Sequence, residues 1–223
     1  MQFNKAQIQA IQHNKGPCMV IAGPGSGKTT VLTHRVRYLI DRCGVKPSDI
    51  LVITFTKAAA EQMKFKFKGL SEGRSSAVTF GTFHAVFFTI LKAAYNYSAR
   101  CIITPHVQHE FVKDQIHRLE LEYDDEKEAV DGVLSEISRV KGEAVNIDEY
   151  ESRCIPPQSF RIIYMAYDDM LVRKHLIDFD DMIVQCRELL MQREDYRRAW
   201  QNKYKYILID EFQDINKAQF DVV

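Results

Sequence analysis

The sequence predicts an α/β protein: a parallel sheet with crossover helices, interrupted by a mainly helical insertion. Three observations predict it. Short apolar runs alternate with segments of helical spacing over residues 4–81, and a glycine-rich turn, "AGPGSGKTT", joins the first run to the first long helix. The pattern is then almost wholly helical over residues 84–190, until a buried-strand pattern returns at "YKYILID". Strand, helix, strand, helix, strand in succession implies parallel pairing, since parallel neighbours need crossover connections.

Residues 4–13 read as a short helix, with Asn4 and Gln7 at the spacing of a capping box. "CMVIA", residues 18–22, is an apolar run of strand length. After the glycine turn, "TTVLTHRVRYLIDRC" has helical spacing and meets Gly44 as a stop. "DILVITF" is the second strand. In "KAAAEQMKFKFKG" the Lys-Phe alternation mimics a strand, but the alanine-rich start and Gly69 favour a helix. "AVTFG" completes the alternation, "IPPQS" opens a helix inside the insertion, and "YKYILID" returns the chain to the sheet. The expected division is an α/β domain from residues 1–84 and 191–223, C-terminally incomplete, with residues 85–190 as inserted subdomain and return segment.

The chain is long enough for one core domain with a sizeable insertion. Its 30 basic and 30 acidic residues balance, which removes any global electrostatic argument for a nucleic-acid partner. The distribution is uneven, because residues 1–84 carry 12 Lys and Arg against 4 Asp and Glu. That basic third suits a polyanion such as a nucleotide, DNA or RNA, although a solvated basic face has the same composition. The five cysteines form no CxxC pair and have no histidine at zinc spacing, so they read as free thiols in a reducing compartment. With no signal-peptide pattern and no membrane-length run, the expected setting is cytoplasmic, without a membrane partner.

Chemistry concentrates at two places. In the loop of Ala22, Gly23, Pro24, Gly25, Ser26 and Gly27, glycines tolerate the positive φ of a tight curl whose amides turn inward on phosphate oxygens. The following helix start adds partial positive charge, Lys28 reaches the β- and γ-phosphates of ATP, and the Thr29 hydroxyl binds Mg²⁺. Ala22 stands where the strict GxxxxGK[ST] pattern has its first glycine. At the other end of the chain, Asp210 and Glu211 emerge from a predicted strand, at the carboxyl edge where open α/β sheets bind ligands. One acid holds Mg²⁺ and the next orients or deprotonates water, whereas an acid pair alone would equally serve as a helix cap.

The ordered set "AGPGSGKT", "TFTKAAAEQM", "GTFHA", "DFDDM" and "DEFQD" resembles the N-terminal part of superfamily-1 DNA helicases of the UvrD/Rep/PcrA type, from about Phe3 to Asn216. The resemblance implies a RecA-like P-loop NTPase domain with its helical insertion, acting on single-stranded DNA and single/double-strand junctions with 3′ to 5′ polarity. It implies an adenine contact for Gln7, γ-phosphate sensing for Gln213, and DNA contacts for Thr54, Phe55, Thr56 and Lys57 and for Thr82, Phe83 and His84. Lys57 stands where many members carry Asn. Thr30, beside the phosphates, replaces an Arg that many members place after the GKT. "DFDDM" reads as structural, with a helix-capping acid. The second motor domain, with the arginine finger, is expected beyond Val223, so the chain alone should bind Mg-ATP and hydrolyse it poorly. Two alternatives remain open at this point: a subunit of a RecB/AddA-like helicase-nuclease, and a nucleotide-dependent DNA-binding module without a motor cycle.

Overall fold

The computed structural model describes residues 2–71 and 77–223, which fall into two compact units. The first comprises the chain to Val86 together with Arg193–Ile215; the second comprises Phe87–Gln192 and Asn216–Val223.

The first unit is built on three parallel strands, β1 (Ile50–Thr54), β2 (Thr79–Thr82) and β3 (Tyr206–Ile209), in the order β2-β1-β3. Central β1 is buried along its whole length, as a parallel strand covered on both faces must be. Its Ile50 and Val52 pack with Val36 and Leu39 of α2 (Lys28–Asp41) and with Met63 and Phe67 of α3 (Lys57–Leu70). Each such side chain, fully buried, contributes roughly 1.5–3 kcal/mol. Register brings Thr54 beside Thr82 and Ile53 beside Ile209, and the ladder runs on one bond further, from the Asp210 amide to the Ile53 carbonyl at 2.9 Å. The carboxyl ends of all three strands therefore share one edge.

This unit also contains the helices α1 (Lys5–Gln12) and α9 (Glu194–Lys203). The predicted capping box is present, with Asn4 and Gln7 each accepting the other's backbone N–H. The Lys-Phe alternation of residues 64–67 does lie in a helix: Ala60, Met63 and Phe67 form its buried face, leaving Phe65 exposed.

One expectation fails here. Residues 18–22 are not a strand; they carry no regular secondary structure and no ladder bonds, and Met19, Val20 and Ile21 are 73%, 54% and 89% exposed. Apolar composition favours a strand only when a neighbouring strand supplies the hydrogen bonds, and among the described residues none pairs with this run.

The second unit is helical. It holds the greater part of α4 (Phe83–Tyr95), then α5 (Pro105–Arg118), α6 (Glu126–Glu143), α7 (Pro157–Arg173), α8 (Phe179–Gln192) and α10 (Lys217–Val222). Its core joins Val112 and Ile116 of α5 and Val133 and Ile137 of α6 to Phe160 and Ile163 of α7. The one β contact described in it is an isolated bridge, Ile102 to Ile177. Two boundaries differ from the sequence reading. The division falls inside α4, after Val86, and residues 216–223 belong to the second unit, packing on α8 and α6.

"DFDDM" acts as predicted for a cap, and more. Asp178 accepts the Asp181 amide at 2.7 Å at the start of α8 and also accepts from buried Lys141 of α6 at 3.0 Å. Lys141 meets Asp181 at 2.7 Å and Asp168 at 3.0 Å as well. Burial alone would depress the lysine, but the three carboxylates outweigh it and hold the ammonium well above its ordinary value.

Candidate nucleotide site and nucleic-acid edge

The glycine loop folds as its composition demands. Ser26 N–H closes a turn on the Gly23 carbonyl, and Gly25 and Gly27 sit at φ 73° and 84°, a region that strains residues with a Cβ. Gly27 is the N-cap of α2 and has no side chain to satisfy the helix's first amides, so these are left for an anion. Lys28 and Thr29 occupy the first turn. Pro24 lies in the turn between the glycines, with Ala22 before it and Thr30 in the helix's first turn.

Lys28 donates to Glu211 Oε2 at 3.0 Å, and Gln213 Nε2 donates to the same oxygen at 2.8 Å. The two ends of the chain thus meet, 183 residues apart. Glu211 adopts left-handed backbone geometry, φ 51°, which turns the chain sharply at the end of β3. Such a conformation in a non-glycine residue stores of order 1–3 kcal/mol. Hydrogen bonds from Gln213 and Lys28 hold the Glu211 carboxyl below its usual range, whereas burial, then the neighbouring Glu211 charge, push Asp210 up.

The residues fit Mg²⁺. Asp210 is a half-buried carboxylate whose ionisation the site opposes, a situation that a cation reverses. No cluster of three or more His, Cys, Asp or Glu suitable for a metal exists among the described residues. Mg²⁺ does not need one, since it is commonly held by one or two carboxylates together with substrate phosphates and water. Thr29 and Asp210 would hold it.

Gln7 lies over the loop, donating from Nε2 to the Ser26 carbonyl at 3.1 Å. Its Oε1 accepts the Asn4 amide. A side-chain amide has two N–H groups and two lone pairs, so one of each remains for a ligand, the pair that a bidentate contact to adenine requires.

The other predicted contacts share the sheet edge but differ in exposure. Thr54 and Phe83 are buried, 3% and 1% exposed, so their side chains serve the core. Phe55 is half-buried and packs against the Phe83 ring, centroids 5.4 Å apart. Thr56 caps α3 by accepting the Ala59 amide, and Thr82 accepts the Ala85 amide in the same way. Lys57 is fully open to solvent beside Glu61 at 3.9 Å. Burial holds the His84 imidazole below its ordinary value.

Sequence reasoning missed two groups. Asp214 accepts from Gln213 at 3.3 Å and so helps orient it, with only the motif's spacing as a signal. Arg35, on the face of α2 toward α1, gave no signal beyond being a charged residue among buried neighbours Thr33 and Val36. A cavity of about 290 Å³, lined by Gln108, Tyr167, Asp178 and Asp180 among others, lies in the helical unit.

A parallel sheet whose carboxyl edge gathers a glycine loop, its lysine and an acidic strand end defines a RecA-like α/β domain of the P-loop class. The chain belongs to the UvrD/REP helicase family, whose N-terminal domain profile matches residues 3–223. It is 34% identical to the ATP-dependent DNA helicase Rep of Escherichia coli (strain K12), over 100% of this chain and 34% of that protein. It is 33% identical to the ATP-dependent DNA helicase PcrA of Staphylococcus epidermidis, over 99% of this chain and 31% of that protein. The putative ATP-dependent DNA helicase YjcD of Bacillus subtilis (strain 168) is 35% identical, over 99% and 30%. The chain therefore spans about a third of the length of these relatives. No described helix is long and apolar enough to cross a membrane.

Proposed function

We propose that this chain is the ATP-holding part of an ATP-dependent DNA helicase or translocase that tracks single-stranded DNA, with 3′ to 5′ polarity and action at single/double-strand junctions. Residues 2–86 and 193–215 form its RecA-like motor domain and the helical unit its insertion. The observation that carries the reading is the junction of Lys28, Glu211 and Gln213 at the sheet edge from which Thr54–Lys57 and Thr82–His84 also emerge.

The contacts suggest a sequence of events among the chain's own residues. Without nucleotide, Lys28 and Gln213 hold Glu211 ionised and engaged. Phosphate binding draws Lys28 off Glu211, which removes one cause of its lowered pKa and frees its carboxylate to orient and deprotonate water. Gln213, bonded to Glu211 and Asp214, changes partner in the same step and passes the state of the phosphate to the nearby edge. Thr29 and Asp210 would hold Mg²⁺, which would supply neutralising charge at the phosphates. Gln7 reads adenine. Phe55 offers a ring to a base and Lys57 a cation to a phosphate, with Thr56, Thr82 and the backbone at Thr54, Phe83 and His84 completing the contact. An arginine finger can be worth several orders of magnitude in rate, and in this family it comes from a second motor domain. The chain alone therefore binds Mg-ATP and turns it over slowly.

Equilibrium binding of Mg-ATP and of a single-stranded oligonucleotide to the wild-type chain and to Lys28→Ala tests this. The variant should lose nucleotide binding and keep DNA binding. Retained Mg-ATP affinity in Lys28→Ala removes the phosphate-loop assignment, and absence of DNA binding by the wild type removes the DNA edge.

A further inference from the structure

The helix that carries Gln7 cannot hold its own position. With eight residues, α1 is far below the length at which an isolated helix is stable, and Ile11 is its one buried residue. Its placement comes from α2, the helix that begins at the phosphate loop. At one end, the rings of Phe3 and His34 meet edge to face, centroids 4.8 Å apart. At the other, Arg35 Nη1 donates to the Ala10 carbonyl at 3.1 Å and to the His13 carbonyl. Both carbonyls belong to the C-terminal end of α1, where the helix leaves acceptors without internal partners, and a cation there is favoured by the helix dipole as well. The clamp extends to the sheet, since Tyr206 of β3 donates to Asn14 Oδ1 at 3.3 Å.

One helix therefore presents Lys28 to the phosphates with its first residue and, two turns on, grips with Arg35 the helix bearing Gln7. We propose that Arg35 is a positioning residue for base selection: by fixing α1 on α2 it sets the height of the Gln7 amide over the phosphate loop. This rests on the nucleotide-site reading above. With Arg35 removed, Gln7 keeps its chemistry but loses its fixed place. Adenine is then read poorly, while the loop amides and Lys28, carried by α2 and touched by α1 only through the Gln7–Ser26 bond, bind phosphate nearly as before.

The test is a set of equilibrium affinities for Mg-ATP, Mg-GTP and Mg-tripolyphosphate, measured on the wild type, Gln7→Ala, Arg35→Ala and Arg35→Lys. A bidentate base contact discriminates by about five- to a hundredfold, so the ATP-to-GTP affinity ratio should fall by that order in Arg35→Ala, toward the Gln7→Ala value. Tripolyphosphate affinity should stay within about twofold of wild type. Arg35→Lys, which keeps the charge and a donor group, should recover part of the ratio, and it carries the test if Arg35→Ala does not fold. The proposal is overturned by an unchanged ratio, by ATP and tripolyphosphate affinities that fall in parallel, or by a wild-type ratio near one. Failure of the wild type to bind tripolyphosphate at all removes the phosphate-loop reading itself, and this inference with it.

Discussion

Asp180 is a half-buried acid of the helical unit whose surroundings oppose its ionisation, and replacing it should stabilise the protein at neutral pH. Lys141 is engaged by Asp168, Asp178 and Asp181 at 2.7–3.0 Å, which leaves Asp180 a hydrogen bond with Ser138 and only the weaker, indirect attraction of Lys141. Burial first, and the Asp178 charge second, push its carboxyl from 3.8 up to about 6. The folded state then binds this proton more tightly than the unfolded chain does. Its contribution is fully present below about pH 4, is lost as pH rises to about 6, and stays lost above. A rise from 3.8 to about 6 corresponds to about 3 kcal/mol at neutral pH. Asp180→Asn retains a side-chain oxygen to accept from Ser138 and removes the ionisation. Urea unfolding followed by far-UV ellipticity suits this measurement, because the single tryptophan, Trp200, reports on the other unit. The variant should exceed wild type by up to about 3 kcal/mol at pH 7.5, with the difference narrowing below pH 5. Asp181, also pushed up to about 6, retains its own slope in both proteins, so the difference isolates Asp180. A variant less stable than wild type at pH 7.5, or a difference that does not change with pH, refutes the reasoning.

On the proposed function, Glu211→Gln should leave Mg-ATP binding intact and stop turnover; an unaffected rate in a steady-state assay excludes Glu211 as the base. Phe55→Ala should weaken binding of a single-stranded oligonucleotide by about 1–3 kcal/mol if the ring stacks on a base, and an unchanged titration assigns Phe55 to packing against Phe83 alone. Lys141→Met leaves buried Asp178 without its cation and should destabilise the helical unit by about 3–5 kcal/mol in the same unfolding assay; a loss under about 1 kcal/mol contradicts the burial of this cluster.

What the sequence by itself determined is local. The glycine loop, the capping box of Asn4 and Gln7, the helix over residues 57–70 and the acids closing β3 were all legible, because each is fixed by the backbone preferences of a few adjacent residues. What the tertiary structure decided is pairing across distance. Residues 18–22 carry a strand's composition without being a strand, since a strand exists only through its neighbour's hydrogen bonds. Phe83, a candidate DNA contact by motif, has its ring buried where β2 meets α4, which its local sequence did not specify. Lys141 follows Val133, Ile137 and Val140 on the buried side of α6, where a sequence reading expects no cation, and its carboxylates are supplied by residues 168, 178 and 181. Arg35 looks like any helical arginine until folding lays the end of α1 against it. Local chain geometry is written in consecutive residues, but the partner that makes a buried charge or an extended run stable is chosen only when distant segments meet.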